Sequence, residues 1–168
     1  HNVVYVATEN DSVYAFDADQ TSAVAPLWKT SFLTSSSVTP VPAGDVFTRY
    51  ANHDIDPQVG ITSTPVIDTS TNTIYVVAMT KENGSQYVQR LHALDVTTGL
   101  EKPGSPIIIQ ASVPGNGYDN SGGRITFNPK TEDQRPALLL ANGVVYISWA
   151  SFGDTDPYHG WLIGYSYT

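Results

Sequence analysis

Tyr5-Val6-Ala7-Thr8, Tyr75-Val76-Val77-Ala78 and Tyr146-Ile147-Ser148-Trp149 are three versions of one strand. In each, a tyrosine opens a short run of β-branched, aromatic and small residues, the composition of a pleated and half-buried segment. Each is followed by a second such run, ending Tyr14-Ala15-Phe16-Asp17, His92-Ala93-Leu94-Asp95 and Ile163-Gly164-Tyr165-Ser166. The three leading tyrosines fall 70 and 71 residues apart. Near-constant spacing of antiparallel strand groups marks a repeat architecture, and four-stranded sheets repeated radially make a β-propeller.

Working outward, strands are expected at 3–8, 12–17 and 27–32, then at 61–67, 73–80, 87–95 and 107–111, and finally at 137–141, 144–150 and 161–167. Turn signals separate them: Glu9-Asn10-Asp11, Asp68 to Asn72, Lys81 to Ser85, and Asn142-Gly143, whose two residues both tolerate positive φ. Residues 33–59 and 112–135 read as long loops. No window carries sustained helical periodicity, and scattered prolines and glycines would break one. The fold expected is therefore all-β, a β-propeller segment of about three four-stranded antiparallel blades, the first and last incomplete. The blade-like groups lie at about 1–35, 60–111 and 136–168 of a single segment. A propeller closes with roughly four to eight blades, so this number cannot close one. A β-sandwich is the rival all-β reading, but it does not call for the self-similarity. Because alternate residues of a strand share a face, Val4, Val6, Val76, Ala78, Ile147 and Trp149 are expected to face the packing between sheets.

Composition bounds the function. The chain has 168 residues, 16 acidic and 8 basic, for a formal net charge of −8. That balance opposes nucleic-acid binding, which needs cations against phosphate, and a polybasic membrane anchor. Charged residues make up 14% and hydrophobic ones 40%, so the chain is no disordered acidic tail. There is no cysteine, hence no disulfide, thiolate ligand or cysteine nucleophile. No apolar run is long enough for a membrane-spanning helix, and no signal peptide is read before Val3. Both ends look cut from strands. The chain is thus expected to be part of a longer polypeptide, or to be completed by neighbouring copies.

Ala93-Leu94-Asp95-Val96-Thr97-Thr98-Gly99, with the variant Ala15-Phe16-Asp17-Ala18-Asp19 and a later Leu27-Trp28, resembles the repeat of the PQQ-like (pyrroloquinoline quinone enzyme repeat) propellers. Gly60 to Asp68 resembles that family's entry into the innermost strand. The stretches Tyr87 to Asp95 and Tyr158-His159-Gly160-Trp161 are similar to a subgroup of secreted bacterial repeat proteins. The resemblance implies that the Asp and Thr-Gly form the turn between third and fourth strands, and that a later Trp docks between neighbouring blades. The departures are an offset Trp in the first group, Pro103 at the corresponding position of the second, and Ser166 in place of the Asp in the third. It also implies, for an enzyme of the family, a quinone (PQQ) held with calcium on the propeller axis. No cofactor is expected within this chain itself, which lacks the blades to enclose an axis.

Several residues invite chemistry. Asp154 and Asp156 alternate within Gly153 to His159, as calcium ligands can, although Asp also serves turns by bonding the local backbone. Tyr158, His159 and Trp161 are the candidate ligand-binding set, since aromatic rings stack on sugars, although Trp149 and Trp161 fall at strand positions that suit packing between sheets. Asn10 and Asn83 each open a glycosylation triplet within a turn, relevant only where the source glycosylates secreted proteins. His92, inside a strand beside Ala93 and Leu94, is expected to be packed or hydrogen-bonded. The leading expectation is a non-enzymatic binding or structural segment of an extracellular or cell-surface protein. Its partners would be further blades of the same polypeptide, neighbouring copies, or a polysaccharide. The alternatives are a fragment of a PQQ- and calcium-dependent sugar or alcohol dehydrogenase, and a carbohydrate-binding module.

Overall fold

A computed structural model describes residues 2–49 and 53–166. The strands are β1 (Val3–Thr8), β2 (Ser12–Asp17), β3 (Trp28–Ser31) and β4 (Val38–Pro42), then, after the single-turn α1 (Ala43–Val46), β5 (Gln58–Val59), β6 (Val66–Asp68), β7 (Thr73–Glu82), β8 (Gln86–Asp95) and β9 (Ile107–Ile108). They continue with β10 (Ser112–Pro114), β11 (Arg124–Thr126), β12 (Glu132–Asp133), β13 (Leu139–Ala141), β14 (Val144–Ser151) and β15 (Trp161–Ser166). The chain is all-β, in several antiparallel sheets, none closed into a barrel. The last strand was expected to reach Tyr167, which lies outside the described residues.

Each expected group forms one sheet. The first is β1-β2-β3. The second contains the meander β6-β7-β8-β9, and the third has β13, β14 and β15 in succession. Tight turns set these registers. Asp11, Asn72, Asn83 and Asn142 all adopt φ between 48° and 53° at hairpin corners, a conformation that short polar side chains tolerate.

The two long connections are not simple loops. β4 pairs with the far end of β7, Pro40 opposite Thr80, on the edge that β6 occupies near Tyr75. Between them the Met79 amide donates to the Gly60 carbonyl. The third sheet repeats this arrangement, with β12 pairing Ala150 and Ser151 of β14 beyond the stretch held by β13. These additional strands escape the sequence reading because they are short, proline-bearing or acidic, and carry no apolar alternation.

The three sheets pack face to face. Tyr5, Ala7 and Val13 of the first meet Ile74, Val76, Ala78 and Leu94 of the second. The opposite face of the second, with Tyr75, Val77, Leu91 and Ala93, meets Val145, Ile147, Trp149 and Trp161 of the third. The β10–β11 hairpin adds Ile125 and Phe127 to this layer, where Phe127 meets Trp149 and Trp161 edge-on. The alternation therefore holds for Val76, Ala78, Ile147 and Trp149, which are buried. It fails for Val4 and Val6, 46% and 40% exposed, because their face of the first sheet looks outward. On the other flank, Leu139 and Leu162 are 59% and 71% exposed.

Trp28 joins the first two sheets. Its indole Nε1 donates to the Val96 carbonyl at 3.0 Å, which also accepts from the Tyr5 hydroxyl. Gly99, at φ 72°, lies beneath the ring, and Thr30 Oγ1 donates to its carbonyl at 2.6 Å. The Asp95 carboxylate closes the underlying turn by accepting from the Thr97 and Thr98 amides.

Candidate functional site

Three polar constellations stand out, two where the β1–β2 and β14–β15 hairpin tips meet the long connections and one between the first two sheets. The first gathers most of the residues singled out in the sequence. His159 Nε2 lies 3.0 Å from both carboxylate oxygens of Asp119, and its backbone amide donates to Glu132 Oε1 at 3.0 Å. Glu132 is buried on β12, and burial raises its pKa to about 7 despite the His159 amide, which favours the ionised form. Tyr158 donates to Asp154 Oδ1 at 3.4 Å, and Ser151 Oγ donates to the same oxygen. The Asp154 carbonyl accepts from Arg49. Tyr118 is exposed beside Asp156 and Asp119. Tyr158 and His159 thus share a surface with Asp154 and Asp156. Trp161 instead turns into the core, so its ring is not available for stacking on a ligand. Among the described residues no three His, Cys, Asp or Glu side chains converge as a metal set. Asp119 and Glu132 lie in the segment read as a loop, and nothing in their local sequence pairs them with His159.

The second constellation surrounds Asp11. This residue is fully buried at the β1–β2 corner, and neither carboxylate oxygen has a hydrogen-bond partner among the described residues. Burial, with the charge of Glu9 added, pushes its pKa up to about 8. Glu9 itself accepts from the Gly60 amide at 2.7 Å and the Thr62 hydroxyl at 3.1 Å. Asp133 is raised to about 7 by burial, an effect that Arg135 opposes and Glu9 and Asp54 reinforce.

The third lies between the first two sheets, in a cleft of about 390 Å³. His92 stacks on Phe32, ring centroids 3.6 Å apart, and bonds through Nδ1 to Glu101. It is packed and hydrogen-bonded, as expected. The turn after Asp95 folds back so that Lys102 N donates to Ala93 O, which brings Glu101 beside His92. Arg90 pairs with Glu82 on the same wall. Only the spacing of the Asp95 to Gly99 turn signalled that reversal in the sequence. Asn10 and Asn83 are both exposed at hairpin corners.

With this geometry in hand, comparison with known proteins returns no matching family model, no matching curated protein and no matching solved structure.

Proposed function

We propose that the chain is a run of blades from a β-propeller of the PQQ-like type, serving as a non-enzymatic binding or structural segment of an extracellular or cell-surface protein. The observation that carries this reading is the seat of Trp28 on the turn from Asp95 to Gly99, which ties one sheet to the next as that repeat's Trp does. The order of the faces supports it. The tyrosine face of one sheet meets the β-branched face of the next, twice in succession.

The flanks then have a role. The outward face of the first sheet bears Val4, Val6, Tyr14 and Phe16, and that of the third bears Val144, Tyr146 and Leu162. They correspond in the repeat to faces that are covered inside the stack. At ~25 cal/mol per Å², covering several hundred Å² of apolar surface contributes roughly ten kcal/mol. Further sheets of the same polypeptide are the covering that continues the stack. Light scattering on the 168-residue chain tests this. Association driven by the flanks is expected, and a stable, soluble monomer with a sharp melt would overturn it.

A further inference from the structure

We propose that the cleft between the first two sheets is a binding site for a small, uncharged, polyhydroxylated molecule of the monosaccharide class, with His92 as the hydrogen-bonding centre. The cleft is lined by Thr30, Phe32, Thr80, Arg90, His92 and Glu101, among others. Its volume of about 390 Å³ falls within the range of roughly 300–1,000 Å³ typical of small-molecule sites.

Its polar groups are already engaged with one another. Arg90 is neutralised by Glu82, with Thr80 Oγ1 accepting from the same guanidinium nitrogen. Glu101 uses one oxygen on His92 Nδ1 and the other on the Ser105 hydroxyl. Ser105 is in turn oriented by the Ala93 amide, which donates to its Oγ at 2.7 Å. No unmatched cation remains in this wall to attract an anion, and both carboxylate oxygens of Glu101 are engaged within it. A hydrogen-bonded site discriminates by leaving wrong partners unpaired.

What remains is directional. A carboxylate only accepts, so Nδ1 carries the ring proton toward Glu101, and in the neutral ring Nε2 presents its lone pair. Nε2 has no hydrogen-bond partner among the described residues, although the ring is buried and fixed on one face by Phe32. A fixed acceptor beside threonine hydroxyls and the apolar walls of Phe32, Ala78 and Pro106 suits a ring with hydroxyls on its edge and C–H groups on its face. Because both sheets belong to this chain, the site is complete whether or not the flanks are covered.

The test is a titration of the 15N-histidine-labelled protein with glucose, galactose, mannose and xylose, read at the His92 ring nitrogens by NMR. At least one neutral sugar is expected to give a saturable shift at Nε2. His92→Phe, which retains a ring against Phe32, is expected to weaken that sugar at least tenfold, followed by calorimetry. Glucuronate, whose carboxylate meets no unmatched cation and faces Glu101, should bind at least tenfold more weakly than the neutral sugar. The absence of a saturable shift with all four sugars overturns the proposal, and because it is read on the unaltered protein it stands even where H92F does not fold. A shift confined to His159, equal affinity for glucuronate, or unchanged affinity in folded H92F overturns it equally.

Discussion

The indole of Trp28 rests on Gly99 so closely that a Cβ there would stand 2.5 Å from ring atom Cε3. The glycine also sits at φ 72°, where an L side chain is strained. Contact and conformation thus demand the same residue. Gly99→Ala is expected to destabilise the chain by about 2 kcal/mol or more, measured by denaturant unfolding. Tryptophan emission should shift to the red in this variant, because the displaced indole becomes wetter. An unchanged midpoint would mean that Trp28 does not hold the sheets together.

Val76 and Val6 occupy equivalent places in the repeat and have opposite surroundings. Val76 is fully buried between two sheets, whereas Val6 faces outward. Val76→Asp is expected to cost about 3–5 kcal/mol, the scale of an uncompensated buried charge. Val6→Asp should leave the melt of the 168-residue chain within about 0.5 kcal/mol and reduce its association by light scattering. Equal destabilisation by the two would show that the first sheet's outer face is packed.

Asp11 gives the chain a definite pH dependence. Its pKa rises from 3.8 to about 8 on folding. Below the lower value both states hold the proton. Between the two, the unfolded chain releases it while the folded chain retains it, so stability falls as pH rises, by up to about 1.4 kcal/mol per unit from this group. Above about 8 the loss is complete. Asp11→Asn keeps a residue suited to φ 48° and removes the titration. The variant should match the parent near pH 3.5 and exceed it increasingly toward pH 8, followed by thermal melts across that range. A constant difference between the two would exclude Asp11 as the titrating group.

Gln89 binds the second sheet to the third and to the connection before it. Its Nε2 donates to the carbonyls of Pro129 and Glu132, and its Oε1 accepts from Trp149 Nε1 at 2.7 Å. Gln89→Leu is expected to cost about 2–4 kcal/mol, because the indole N–H and two carbonyls lose their partner. Hydrogen exchange at the Trp149 indole should accelerate, and continued protection there would show that another acceptor replaces Gln89.

These residues also show what a sequence discloses. The strands around Tyr5, Tyr75 and Tyr146 were legible because β periodicity and turn chemistry are local. Val4 and Val6 were placed on a covered face because alternation specifies which residues share a side, not whether a neighbouring sheet lies against it. Tyr158 and His159 were legible as candidate ligand-binding residues of the hairpin before Trp161, and both are half-buried there. Asp119, Glu132 and Glu101 were not, since their contacts depend on how two connections fold back. Trp161 offered two readings, a binding aromatic and a strand residue packed between sheets, and its register opposite Trp149 in the core decides for the second.

The strand β4 belongs by position to the connection that follows the first sheet, and by hydrogen bonds to the second. β12 stands in the same relation to the third. The genetic period and the physical unit are therefore out of step. A recombination junction placed just before Gly60, where the sequence copies align, would sever β4 and β5 from the edge they complete. A junction ahead of Val38 would carry that edge intact. Exchange of units among such chains, by evolution or by an engineer, should succeed at the second boundary and leave adhesive edges at the first.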